Sequence, residues 1–380
     1  MDFSLTEEQS MLADSVERFI DNDYAFETRQ RIVASEGGYS RDVWRTFAEL
    51  GWTAMLFDES DGGLDGGPVE MMLMMEQFGR GLVVEPFLAT VVLAGGVLKR
   101  AASPAQKERW LPGLIGGETQ AALAFAEPQS RYKLHDVATT ARADGDGFVL
   151  DGCKAVVPNG GRADLLIVPA RTSGERAEAD GITLFALSAE QDGLHSRAYS
   201  AVDAHGAAEV RLEGVRVDAD AVVGPVGRGL VPLQATIEDA TLAVSAEAYG
   251  ILKSMQAKTV EYSKNRIQFG VPIGSFQALQ HRMVDMFMAC EQLRSLLLRA
   301  TMAADRGGEE GHKAISALKY QVGTAGRLVA QEAVQLHGGM GVTWELDIAH
   351  YFKRFTAIEL LFGNADFHLD RFVELSARRA

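Results

Sequence analysis

The spacing of apolar residues along this chain switches from a helical period to a strand period and back again. That order confines the fold to a helical part, a β part and a second helical part. In residues 1–120, Thr6 and Gln9 have the spacing of a capping box, with Leu5 placed as a hydrophobic staple. Met11, Leu12, Ser15, Val16, Phe19 and Ile20 then mark one helical face, and a second helix is expected over Asp42–Leu50. The glycines of DESDGGLDGGP, Asp58 to Pro68, make it a loop. The following VEMMLMMEQFGR reads as a core helix, with a methionine-lined ligand groove as the alternative.

Residues 121–225 carry strand signals. VATTARA and FVLDGCKAVV flank a turn at Asp144–Gly147 and predict a hairpin. DLLIVPAR, GITLFALS and AAEVRLEGVRV are further strands, rich in β-branched residues, and the polar stretch 171–181 is expected to be a solvated turn. Residues 226–380 return to long helices, at Thr236–Lys264, Ser275–Asp305, His312–His337 and Ile348–Ser376, joined by short glycine-containing links. The first of them would run about 45 Å at 1.5 Å per residue. The expected fold is therefore α+β and mostly α. It has an N-terminal helical domain (1–120), a middle β-barrel or sandwich (121–225) and a C-terminal four-helix bundle (226–380).

Composition narrows the partners. The 380 residues hold 37 Lys and Arg against 52 Asp and Glu, a net charge of −15, which argues against nucleic acid or an anionic membrane surface. Cys153 and Cys290 are the two cysteines, so neither a disulfide framework nor a zinc or other metal site is expected, and a reducing, cytoplasmic setting fits. MDFSLTEEQS has no basic segment before an apolar core, so no secretory signal is expected, and no apolar run is long enough to span a bilayer.

Two segments concentrate unusual residues: RIQFGVPIGSFQALQH at 266–281 and QLHGGMGVTWE at 335–345. Taken alone, the paired glycines of the second serve as a helix stop, and Arg266 is a cation at a helix end. No strand is followed by GxGxxG and no P-loop occurs, so spacing does not reveal a nucleotide site.

Both segments resemble the signature regions of the acyl-CoA dehydrogenase family, in the right order and at about the right distance. MDFSLTEEQ, DGGLDGGPVE with EQFGR, Glu127-Pro128 and Asn159-Gly160 fit as well, so the resemblance spans essentially the whole chain. Within the family, EPQSRY, VPIGSFQALQHR and HYFKR are similar to the small subunits of heteromeric pimeloyl-CoA dehydrogenases. The resemblance implies a flavoprotein oxidoreductase that uses FAD to desaturate an acyl-CoA at its CH–CH bond. It implies electron-transfer flavoprotein as acceptor, assembly as a dimer or tetramer, and a homologous large subunit. FAD would lie extended between the β-domain and the bundle. Arg266, Gln268 and Phe269 would meet the diphosphate and adenine of a neighbour's FAD. Gln277 occupies the motif glutamine's place, and Gln335, Gly338 and Gly339 would cradle the cofactor by close backbone approach.

The chain departs from the family where chemistry is done. Most members carry a glutamate base in a stretch that corresponds here to Leu361-Phe362-Gly363-Asn364, which puts Phe362 in the base position. Relatives that carry the base on the first bundle helix place it where this chain has Ala240. Neither side chain accepts a proton. Glu238 and Asp239 lie beside Ala240, and Asp239 is the candidate substitute, although a solvated first-turn carboxylate is the plainer reading. The family's flavin-contacting threonines and tryptophan become Ala126, Val156 and Pro158. Arg131 could meet a CoA phosphate or a distal substrate carboxylate, or be an ordinary surface arginine. Three functions follow: a base-less subunit of a two-chain dehydrogenase, a self-sufficient dehydrogenase using Asp239 or Glu238, or a binding scaffold without redox chemistry. His281, His337 and His350 are expected to be packing residues.

Overall fold

The computed structural model describes residues 4–377, so the first three residues of MDFSLTEEQ lie outside it. The helices before the β part are α1 (Glu7–Asn22), α2 (Phe26–Ala34), α3 (Arg41–Glu49) and α4 (Pro68–Gly81). A π-helical segment, Leu88–Gly95, then runs into α5 (Gly96–Ala101), followed by α6 (Pro104–Ile115). The strands are β1 (Ala121–Leu123), β2 (Thr140–Asp144), β3 (Gly147–Pro158), β4 (Leu165–Arg171), β5 (Ile182–Ser188), β6 (Leu194–Ser200), β7 (Gly206–Val217) and β8 (Val222–Val223). After α7 (Leu230–Asn265) come a short hairpin of β9 (Ile267–Gln268) and β10 (Val271–Pro272), and then α8 (Gln277–Arg306). The chain closes with α9 (Gly308–His337), α10 (Asp347–Leu360) and α11 (Ala365–Ala377). Among the described residues no helix is long and apolar enough to cross a membrane.

The chain divides into two compact units that cut across the first zone of the sequence. One holds the chain up to Arg31, Gly67–Val83 and everything from Thr241 on; the other holds Ile32–Gly66 and Val84–Ala240.

The helical unit is built on α1, α4 and the long helices. Thr6 and Gln9 form the capping box, with Gln9 N–H donating to Thr6 Oγ1 at 3.2 Å and Thr6 N–H to Gln9 Oε1 at 3.0 Å. Val16, Phe19 and Ile20 are buried as the pattern predicts, but Met11 is exposed. Met71, Met72, Met74 and Met75 of α4 are buried, the core role expected of them. Gly79 of α4 and Gly250 of α7 let the two backbones touch. A Cβ on Gly79 would stand 2.0 Å from Glu247 O, and one on Gly250 1.9 Å from Glu76 O. One turn away, Glu247 and Arg354 form a buried bidentate pair at 2.5 and 2.7 Å.

The fourth bundle helix differs from expectation. It is broken at Leu361–Asn364 into α10 and α11, with Phe362 and Gly363 at φ of 57° and 120°. Lys319 of α9, buried, stabilises the break by donating to Ile358 O (3.0 Å), Glu359 O (3.1 Å) and Gly363 O (2.8 Å), carbonyls that a continuous helix would have bonded itself. Asn364 Oδ1 caps α11 by accepting from Phe367 N–H.

In the other unit the strands follow one path, β6-β7-β3-β2-β4-β5-β8, and β1 also pairs with β4. β1 and β2 share one edge of β4, both parallel to it, β1 along its first half and β2 at Arg171. The Asp144–Gly147 hairpin forms as predicted, with Gly145 at positive φ. Leu150, Leu166, Val168, Phe185, Val210 and Leu212 lie in its core. The 171–181 segment is not simply a solvated turn. Arg171 is buried at its base and donates to the carbonyls of Val137, Ser173, Asp180, His135, Arg176 and Glu178.

Candidate functional site

The helical unit gathers the residues expected to meet a dinucleotide. After α7 the chain reverses through Phe269 and Gly270, both at positive φ (55° and 80°), the geometry of a tight type I′ hairpin. A phenylalanine pays strain there; the residue is 92% exposed, with its ring edge-on to Phe276 at 6.3 Å. Arg266 is exposed, but its backbone is fixed. Its N–H donates to Tyr262 O and its carbonyl accepts from Ile273 N–H, each at 2.8 Å. Gln268 lies on the exposed first strand of the hairpin, and exposed Gln277 opens α8.

At the end of α9, Gln335, Gly338 and Gly339 are all exposed, and Gly338 adopts φ 59°. A Cβ at either glycine would meet nothing within 4 Å, so the bare backbone is open to a ligand. Tyr262 and His337 hold the two segments side by side. Their rings are 4.3 Å apart and tilted by 30°, and Tyr262 Oη donates to His337 O at 3.4 Å. Burial lowers the His337 pKa, although the Ala333 carbonyl at 2.8 Å opposes the shift. This pair was not singled out from sequence; a tyrosine one turn before a helix end carries no signal of its own. His350 is likewise enclosed, near Trp344 O and the Phe26 ring, and His281 is exposed on α8.

In the sheet unit, Ala155 N–H donates to Ala126 O at 2.9 Å, which joins the segment before Glu127-Pro128 to an irregularity in β3. There Val156 has φ 50° and Asn159 φ 59°. Asn159 is buried and donates from Nδ2 to Gln120 Oε1 at 3.0 Å. Neither Ala126, Val156 nor Pro158 offers a side-chain hydroxyl, and Pro158 has no N–H. Behind them lies a buried ion pair that sequence reasoning missed. Lys154 Nζ donates to Glu127 Oε1 at 2.6 Å and to Pro169 O at 2.7 Å. Glu127 also accepts from the N–H groups of Ala138 and Thr139 and from Gln129 Nε2. Burial raises its carboxyl pKa, but the Lys154 charge and these hydrogen bonds outweigh that and hold it below the ordinary range. The signal was a lysine inside an apolar strand. Exposed Arg131, at φ 46°, sits on the loop that this carboxylate anchors.

At the two positions that the resemblance assigns to the base, the side chains are inert and enclosed: Ala240 is wholly buried on α7 and Phe362 is 8% exposed. Asp239 is not in the first turn, because α7 begins at Leu230, and it is not simply solvated: it forms an ion pair with Arg100 of α5. Burial raises its carboxyl pKa, with Arg100 opposing. Among the described residues no cluster of His, Cys, Asp and Glu could hold a metal ion.

Three family models match the chain. The acyl-CoA dehydrogenase N-terminal domain matches residues 6–118, the middle domain 122–215 and the C-terminal domain 227–374. The chain is similar to a short-chain-specific acyl-CoA dehydrogenase of Megasphaera elsdenii, at 30% identity over 366 residues, covering 93% of this chain and 94% of that one. Among solved structures it is similar to the ChsE4-ChsE5 complex from Mycobacterium tuberculosis (28% identity, 99% of each chain, TM-score 0.89). It is also similar to PigA with FAD and proline (25% identity, 100% of each chain, TM-score 0.93).

Proposed function

The chain belongs to the acyl-CoA dehydrogenase family, and on that premise we propose that it is the base-less subunit of a heteromeric, FAD-dependent enzyme that desaturates a CoA thioester. What supports this reading is that the positions the resemblance assigns to the proton acceptor hold Phe362 and Ala240, both buried, while Arg266, Gln268, Phe269, Gln277, Gln335, Gly338 and Gly339, proposed to meet the dinucleotide, are exposed.

The residues present fit the anionic end of FAD. Arg266 offers a forked cation, and Gly338 and Gly339 offer backbone that no side chain screens. Gln268, Phe269, Gln277 and Gln335 would be the further contacts. FAD, when bound, supplies the acceptor for the hydride that leaves the β-carbon. By the resemblance, Ala126, Val156 and Pro158 would offer a flavin ring apolar contact in place of side-chain hydroxyls. Lys154 and Glu127 keep the 127–139 loop and β3 in fixed register. No residue of this chain at either base position takes the α-proton, so a homologous large subunit would supply the carboxylate. Its existence is in keeping with the two-chain composition of the ChsE4-ChsE5 relative. Electron-transfer flavoprotein is the proposed acceptor. The substrate is proposed to be a CoA thioester of a dicarboxylate or bulky acid, with Arg131 near its charged end.

A second reading has one observation in its favour: Asp239 on α7, next to Ala240, is a carboxylate, and burial raises its pKa. Its partnership with Arg100 weighs against that role. Coexpression with a homologue that retains the glutamate should give a yellow heteromer with turnover that this chain lacks alone. Full activity of the purified chain, abolished in Asp239→Asn, would establish the second reading instead. A colourless protein would remove both.

A further inference from the structure

Arg162, on the loop after β3, is a half-buried cation. Among the described residues its side chain makes no hydrogen bond or ion pair, and its one specific contact is with the Tyr39 ring, 5.5 Å from its Cζ. The other buried and half-buried arginines, Arg29, Arg80, Arg171, Arg282, Arg354 and Arg371, each donate to an oxygen. Its five N–H donors take no acceptor among the described residues and are not sealed from solvent, so the fork is open to an incoming acceptor.

The surroundings fix where the fork lies. The Arg162 N–H donates to Asn159 O at 3.0 Å, and Asn159 N–H donates to Gly206 O at 2.9 Å. A Cβ on Gly206 would stand 2.7 Å from Nη1 and 2.9 Å from Nη2, so the guanidinium occupies space that only glycine leaves free. Gly38 approaches Nη2 from another side, its Cβ position 3.3 Å away. Glycines and an aromatic face thus orient the group without consuming its hydrogen-bonding capacity. Burial lowers its pKa, as expected of a cation lacking a counter-charge, with Tyr39 opposing.

We propose that Arg162 is an anion receptor whose fork takes an oxyanion, carboxylate or phosphate, from a ligand or partner outside this chain. A planar, oriented guanidinium with free donors matches the bidentate geometry of either group. This assignment does not depend on the FAD reading, since it concerns a different side chain and a different ligand.

Arginine-selective labelling with phenylglyoxal, read by peptide mass spectrometry on the full chain, tests it. Arg162 should label faster than paired Arg171 and Arg176. A saturating probe anion at about ten times its dissociation constant should slow Arg162 about tenfold, because only the free tenth reacts. Exposed Arg142 should not be slowed. Protection by inorganic phosphate and coenzyme A would assign a phosphate ester; protection by succinate alone would assign a carboxylate. Gly206→Ala, which keeps the charge but displaces the fork, should lose the protection. Labelling of Arg162 no faster than that of Arg171 and Arg176, or equal rates with and without all three probes, would overturn the assignment.

Discussion

Lys154 Nζ lies 2.6 Å from Glu127 Oε1, and the two side chains are 0% and 1% exposed. A charge pair so enclosed is worth little against an apolar replacement, yet removing one partner strands the other charge. Lys154→Met should therefore lower stability by about 3–5 kcal/mol. Lys154→Met combined with Glu127→Gln should recover a large part of that loss. Denaturant midpoints of the three proteins decide the matter; a double variant no better than Lys154→Met would contradict it.

Gly79 and Gly250 are candidates for the opposite kind of test. Alanine normally strengthens a helix by about 1 kcal/mol relative to glycine. Here each new methyl would fall within about 2 Å of a carbonyl oxygen of the facing helix, and overpacking costs about 1–3 kcal/mol or more. Gly79→Ala and Gly250→Ala should both lower the melting temperature. A rise in either would show that the helices can separate without cost.

His368 gives a pH signature. It is buried, its Nε2 is 3.1 Å from Phe362 O, and burial, with Lys319 and Arg371 adding to it, pushes its pKa down to about 3. As pH falls below about 6.5 the unfolded chain binds a proton that the folded chain refuses until about 3. Stability is present above that window and is lost through it, at up to about 1.4 kcal/mol per pH unit from this group. His368→Gln can still donate to Phe362 O but does not titrate. Its melting temperature should fall less steeply between pH 6.5 and 3 than that of the unmodified protein; parallel curves would rule the histidine out.

Phe362 allows a gain of function. Its backbone is held in place by His368, and Lys319 fixes the carbonyls on either side. If that position is the seat of the missing base, Phe362→Glu in the flavin-loaded chain should raise acyl-CoA turnover with a small-molecule acceptor by about 10²-fold or more, the usual contribution of a positioned base. Retained flavin absorbance with no gain in rate would place the seat elsewhere.

The family and the helix–β–helix order were legible in the sequence because each rests on local information. A capping box spans four residues, and so does the Asp144–Gly147 turn. Periodicity marks helices without reference to their neighbours. It failed where a local rule had a distant competitor. Apolar spacing runs on through Leu361–Asn364, but Lys319, some forty residues upstream, satisfies the carbonyls freed by the break. The 171–181 stretch reads as polar, yet Arg171 turns inward to bind six carbonyls.

By itself the sequence determined the helix–β–helix order and which residues cannot do chemistry: phenylalanine and alanine are inert wherever they fold. Only the tertiary structure decided which charges are paired. Asp239 and Arg100 are 139 residues apart in the chain and form an ion pair, whereas the Arg162 guanidinium has no acceptor among the described residues. The reason is that secondary structure follows from the side chains and backbone of a few consecutive residues. The state of a buried charge depends instead on desolvation and on partners supplied by whatever the fold packs against it.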